Sequence, residues 1–136
     1  LDRILDYNIL EVIRDGKSSI VLRAVRSSDN IPVILKTLRQ HHPLPQDILK
    51  YKQEYRISKA LENLSCTNVI HDFIKYDNSL VIIYEDAGGM FLDNLMRSES
   101  LSFEQSLKIA IGICAGLGEI HARNILYRNL TPCNIM

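Results

Sequence analysis

Three places in this chain carry residue types that could do chemistry: Lys36 at the end of "IPVILK", Glu54 in "QDILKYKQEYRISKAL", and the closing run "LYRNLTPCNIM". Lys36 is a point charge able to hold an anion, although a lysine at a strand end is more often a solvated tail. Glu54, a carboxylate near the middle of its run, reads by spacing alone as an exposed i, i+4 partner of Lys50. The closing run combines a cation, Arg128, with the amides of Asn129 and Asn134 and the hydroxyl of Thr131, and it holds no carboxylate. It raises the question of a phosphoryl-transfer loop that has lost its base, which ten residues alone leave as a hypothesis. The histidines compete poorly for such a role. His41 and His42 adjoin in a turn without a Cys or carboxylate at ligand spacing and read as solvated, His71 reads as structural, and His121 suits the negative end of a helix dipole.

Whatever these groups bind, they must hold it locally. Lys plus Arg and Asp plus Glu are 16 each, so no large field of one sign steers the molecule onto nucleic acid or an anionic membrane. Cys66, Cys114 and Cys133 are odd in number and form no C-x-x-C pair, which argues against a disulfide framework or zinc site and fits a reducing cytoplasm. The uncharged apolar stretch Ile109 to Gly118 is about half of the roughly 20 residues a membrane helix needs. With 136 residues and 46% hydrophobic content the chain can build a real core. A start at Leu1 and a stop at Ile135 and Met136 suggest a fragment at both ends.

The elements that must position these groups follow from pattern. "YNILEVIRDG", "SSIVLRAVR" and "IPVILKTLR" read as three strands, with "SSDN" as a hairpin signal because Asp and Asn tolerate the left-handed conformation. A helix runs from Pro45 to Leu61, with Asp47 in its first turn. "NVIHDFIKYDNSLVIIYED" gives two more strands around "YDNS", and Ala87 to Gly89 reads as a hinge. "MFLDNLMRS" is a short helix; Ser102 and Gln105 form a capping box opening a long one through Ala122, and Asn124 stands where a C-cap wants positive φ. Apolar residues cover more than one stripe of that long helix, so it wants burial on most sides, and Gly112, Gly116 and Gly118 suggest a seam for another helix. The fold class is α+β, five antiparallel strands with one inserted helix, then helices. Period-two geometry sets Ile34 on the face of Lys36.

That order, ending in "LYRNLTPCNIM", resembles the protein kinase fold from its first strand through its catalytic loop, in particular the kinase-like modules opening large bacterial, especially cyanobacterial, multidomain signalling proteins. The resemblance implies a nucleotide-binding lobe over residues 1–87 and the start of a truncated helical lobe over 88–136. The glycine-rich loop G-x-G-x-x-G-x-V falls on Arg14 to Val21, where Gly16 and Val21 match while Arg14 and Ser19 replace two glycines. "VILK" falls on the phosphate-holding V-A-I-K, with Ile34 against the adenine, Lys36 on the α- and β-phosphates, and Glu54 as its carboxylate partner. "LVIIYEDAGG" falls on the hinge, with Tyr84 as gatekeeper and backbone groups of Glu85 and Ala87 toward the adenine edge.

The catalytic-loop pattern H-R-D-L-K-P-x-N falls on Tyr127 to Asn134. Arg128, Leu130, Pro132 and Asn134 agree, and the resemblance makes Asn134 a Mg²⁺ ligand. The departures fall on chemistry: Asn129 stands where an aspartate would take the substrate proton, and Thr131 where a lysine would stabilise the transferring phosphoryl. Losing general-base help is worth about 10²- to 10⁴-fold in rate. The D-F-G segment that would supply the principal metal ligand is not within the 136 residues.

The first expectation is therefore a serine/threonine kinase-like module that binds ATP with Mg²⁺ and is impaired or a pseudokinase, working with a protein substrate or with downstream signalling domains of the same chain. A second keeps transfer to Ser or Thr, with another group replacing Asn129. The third is a protein-interaction module that binds no nucleotide, motivated by Arg14 and Ser19.

Overall fold

Turn chemistry sets the outline of the sheet. The computed structural model describes residues 3–39 and 43–136; His41 and His42 lie outside the described residues. Strand β2 (Tyr7–Asp15) pairs antiparallel with β3 (Ser19–Arg26), and β3 with β4 (Pro32–Leu38), the second reversal passing through Asn30 at φ 58°. Strands β5 (Ile70–Tyr76) and β6 (Ser79–Glu85) are joined by Asp77 and Asn78 at φ 44° and 60°, two consecutive left-handed residues that match the twist of a tight hairpin. Register shifts between Ile9 and Glu11 and between Val12 and Arg14 bend β2 over the sheet.

The sheet has six strands rather than the five expected. A two-residue strand, β1 (Arg3–Ile4), turns back at Leu5, φ 48°, onto Asn8 and Tyr7, giving the order β1-β2-β3-β4-β6-β5. Two residues leave no periodicity to read. What secures them is Ile4, buried against Tyr7, Leu22, Ala24, Val33, Leu35, Val81 and Ile83 on one face of the sheet. The strands contributing most to this core are buried on both faces, as their continuous apolar runs require.

Helix α1 (Pro45–Ala60) opens with proline, which has no N–H to satisfy, and with Asp47 close behind, whose N–H donates to Leu44 O at 2.9 Å. It buries one side chain, Tyr51, in a smaller cluster with Leu38, Ile70 and Ile82 on the other face, flanked by Tyr55, Phe73, Leu80 and Tyr84. The rings of Tyr55 and Phe73 stack at 4.5 Å. A polar helix thus rests on the sheet through aromatic contacts rather than an aliphatic stripe.

The chain divides into two compact units, residues 1–63 with 67–87, and residues 64–66 with 88–136. The second holds α2 (Leu92–Ser98), α3 (Phe103–Ala122) and a single 3-10 turn, Pro132–Asn134. The capping box of α3 forms: Gln105 N–H donates to Ser102 Oγ and Ser102 N–H to the Gln105 side chain, at 3.2 and 2.8 Å. Asn124 ends the helix at φ 58°. The long helix buries Gly116 and Ile120 and leaves Phe103, Leu107 and Ile111 84%, 49% and 61% exposed. The glycine seam resolves into one contact: a Cβ on Gly116 would lie 2.8 Å from Cys66 Cβ, whereas Gly112 and Gly118 face open space.

Candidate functional site

Cross-strand pairing gathers one set of side chains on a single face. Val21 lies opposite Lys36 and Lys36 opposite Ile82; Arg23 lies opposite Ile34 and Ile34 opposite Tyr84. With side chains alternating along each strand, Val21, Arg23, Ile34, Lys36, Ile82 and Tyr84 share the face on which α1 rests. Val21, Ile34 and Ile82 are buried, so the ammonium of Lys36 stands on an apolar floor.

Helix α1 brings Glu54 to that ammonium. Lys36 Nζ donates to Glu54 Oε1, and Tyr84 Oη donates to the same oxygen at 3.4 Å. One turn earlier, Tyr51 Oη donates to the carbonyl of Lys36, and its ring lies 5.9 Å from the Lys36 Nζ. Tyr51 and Glu54, three apart on the helix, thus grip backbone and side chain of the same lysine. Burial, reinforced by the negative charge of Glu54, raises the Tyr51 phenol well above its ordinary value. It remains a donor throughout the physiological range. The alternative partner for Glu54, Lys50 on the exposed side of the helix, is not needed to account for its position.

The turn at Gly16 closes on itself. Gly16 N–H donates to Ser19 O at 3.0 Å, and an added Cβ would sit 3.0 Å from that oxygen. Arg39 holds the turn from the end of β4: its backbone N–H donates to Ser18 O at 3.0 Å, and its guanidinium to the Asp15 carboxylate and to Gly16 O at 3.1 Å. A phosphate cradle needs backbone N–H groups directed outward, and here that of Gly16 is committed to its own turn. At the hinge, Glu85 N–H donates to Val69 O at 2.9 Å, so a base approaching there meets the Glu85 carbonyl and the backbone of Ala87.

The closing loop combines local bonds with a tie to the start of α2, where Leu92 N–H donates to Ile135 O at 2.8 Å. Asn134 Nδ2 donates to the carbonyl of Asn129 at 3.0 Å, Asn134 N–H to Thr131 O at 2.9 Å, and the Thr131 hydroxyl meets the Cys133 thiol at 3.0 Å. Arg128 and Asn129 are exposed. The Asn134 amide oxygen lies 4.0 Å from the Cys133 thiol of the same loop. One neutral oxygen falls short of the carboxylates Mg²⁺ ordinarily takes, and among the described residues no group of three His, Cys, Asp or Glu is placed to hold a metal. The residues present fit a nucleotide at Lys36 and do not by themselves make a metal site.

Three contacts of the sheet unit lay beyond motif reading: Tyr84 on Glu54, Arg39 on the Gly16 turn, and Arg23 between two carboxylates, Glu11 Oε1 at 2.6 Å and Asp86 Oδ2 at 2.7 Å. Each joins residues far apart in sequence, where spacing carries no signal. The sequence marks Tyr84 by its place in the order of elements, not by its hydroxyl.

Comparison with known proteins bears on the family and the fold. The model of the protein kinase domain matches residues 7–136, and the chain belongs to the protein kinase family. Its relatives include serine/threonine kinases: it is 29% identical over 140 residues to serine/threonine-protein kinase Sgk2 of Rattus norvegicus, covering 96% of this chain and 36% of that protein. It is 25% identical over 133 residues to serine/threonine-protein kinase TIO of Arabidopsis thaliana, covering 96% of this chain and 10% of that protein. Among solved structures it resembles the kinase domain of PknI from Mycobacterium tuberculosis, a point mutant, with TM-score 0.73 and 18% identity over 97% of this chain and 55% of that one, a likeness of fold. The chain spans about a third of Sgk2 and a tenth of TIO. Among the described residues no helix is long and apolar enough to cross a membrane.

Proposed function

We propose that this chain is a nucleotide-binding kinase module of serine/threonine type with impaired phosphoryl transfer, serving regulation of the signalling protein it belongs to. The observation carrying this reading is the Lys36–Glu54 ion pair on an apolar floor, braced by Tyr51 and Tyr84. The ammonium takes the α- and β-phosphates of ATP, Val21 and Ile34 face the adenine, and the Glu85 carbonyl and Ala87 backbone meet the base edge. Gly16 contributes little to phosphate binding because its N–H is already used. Asn134 is the ligand the second unit offers Mg²⁺.

Impairment follows from the loop. The Asn129 amide cannot accept a proton at neutral pH, Thr131 carries no charge, and Arg128 remains the cation of the motif. Restoring the carboxylate with Asn129→Asp, and following transfer of ³²P from labelled ATP to a Ser/Thr substrate such as myelin basic protein, tests this account. It expects little transfer from the unaltered protein and a gain of about 10²-fold or more on restoration. Equal and substantial transfer by both proteins would show that another group does the work of a base; negligible transfer by both would show that Asn129 is not the only lesion. The pinned Gly16 turn favours a second reading, an interaction module without nucleotide. A calorimetric titration with ATP showing no heat of binding in the folded protein would select it.

A further inference from the structure

Arg23 stands on the nucleotide face yet plays no part in the lysine–acid pair. It lies opposite Ile34 in the register and spans two carboxylates, with Nε on Asp86 and one terminal nitrogen on Glu11. Asp86 sits between the two hinge residues offered to the base, and its side chain is 4% exposed. A carboxylate that is nearly withdrawn from water needs a fixed cation, and a planar guanidinium whose two sides are both engaged has little freedom to leave. The hinge backbone is thereby tied at its midpoint to strand β3. The nearest backbone constraint before it is the Glu85 N–H bond to Val69 O, and Gly88, φ 72°, follows two residues later.

We infer that Arg23 is a positioning residue for base recognition: through Asp86 it holds Glu85 and Ala87 in the register that meets the purine edge, leaving phosphate binding to Lys36. The inference rests on the nucleotide-binding reading for its purpose, and on geometry alone for the tether. The two parts separate experimentally. In the unliganded protein, hydrogen exchange at the 85–88 amides should accelerate about tenfold or more in Arg23→Met, which keeps the aliphatic stem and removes both charge-assisted bonds. In titrations, Arg23→Met should bind ATP about tenfold more weakly while its affinity for inorganic tripolyphosphate is unchanged, since only the base end is loosened.

Unaltered exchange at residues 85–88 overturns the tether. Equal weakening toward ATP and tripolyphosphate overturns the base-specific role and leaves Arg23 as a general support of the sheet. If the unaltered protein binds no ATP, the proposed function fails, and the exchange measurement still decides the tether. Should Arg23→Met not fold, Arg23→Lys is measured the same way, because one ammonium cannot reach both carboxylates in the geometry of a guanidinium.

Discussion

The sheet around Lys36 and the loop around Asn129 both match a kinase motif, but they are held in different ways. Lys36 and Glu54 are 18 residues apart and meet because β4, α1 and the buried Ile82 and Tyr51 fix their directions. Around Asn129 the loop is held by bonds spanning five residues or fewer, Asn134 to Asn129 and Thr131 to Cys133, and its end is tied to the start of α2 by a backbone bond, Leu92 N–H to Ile135 O at 2.8 Å. A site built on a core can be lost by damage remote from it. A site built on a turn changes its chemistry with its residues and little else. The difference fits a chain that combines a lysine–acid pair with a loop that departs from the kinase motif at two positions: Asn129 is exposed and Thr131 part-buried, and neither belongs to the core.

The largest expected effect strikes the sheet from behind. Leu35→Ala empties a fully buried position on the face opposite Lys36 and should destabilise by about 2 to 5 kcal/mol in urea denaturation. ATP affinity at a temperature where the variant is still folded should stay within a few-fold; a complete loss there would show that the pair depends on the packing behind the sheet and not only on its contacts with α1.

Next in size is Tyr51→Phe. It removes the phenol's bond to the Lys36 carbonyl and should lower stability by about 1 kcal/mol. It also carries a pH signature. Because burial raises the folded phenol above its unfolded value near 10, the unfolded chain ionises first, so stability is full below that pH and falls as pH rises past it. The slope of urea stability between pH 9 and about 11 should be shallower in Tyr51→Phe; an identical slope would place the alkaline loss on other groups.

In the second unit, Ser102→Ala removes one half of the capping box of α3 and should cost about 1 kcal/mol. Smallest is Lys108→Ala, which breaks an exposed pair with Glu104 and should shift stability by no more than a few tenths of a kcal/mol in the same assay. A Lys108 effect matching that of Ser102 would mean the helix is stabilised by its surface charges rather than its cap.

What could be read in advance was local or serial. Asn30, Asn124 and the Ser102–Gln105 box announced themselves because their chemistry is complete within a few residues. The six-strand sheet was legible save for β1, whose two residues carry no alternation. Lys36 and Glu54 were legible through the order of elements, which a family pattern supplies. Arg23 with Asp86, Tyr84 with Glu54 and Arg39 with the Gly16 turn were not, because a charged or phenolic side chain on a strand has no spacing rule for a partner dozens of residues away. The exposure of Leu107 and Ile111 on α3 likewise runs against its apolar pattern, which asks for more burial than the described residues give.

The central claim is that the Lys36 ammonium is the phosphate-holding group of a nucleotide site. An acyl-phosphate derivative of ATP tests it chemically: an amine placed at the phosphates attacks the acyl carbon, forms an amide and releases the nucleotide. Peptide mapping by mass spectrometry should find the acyl group on Lys36, and excess ATP should suppress it. Acylation spread over the surface lysines, or labelling of Lys36 that ATP does not diminish, would contradict the account.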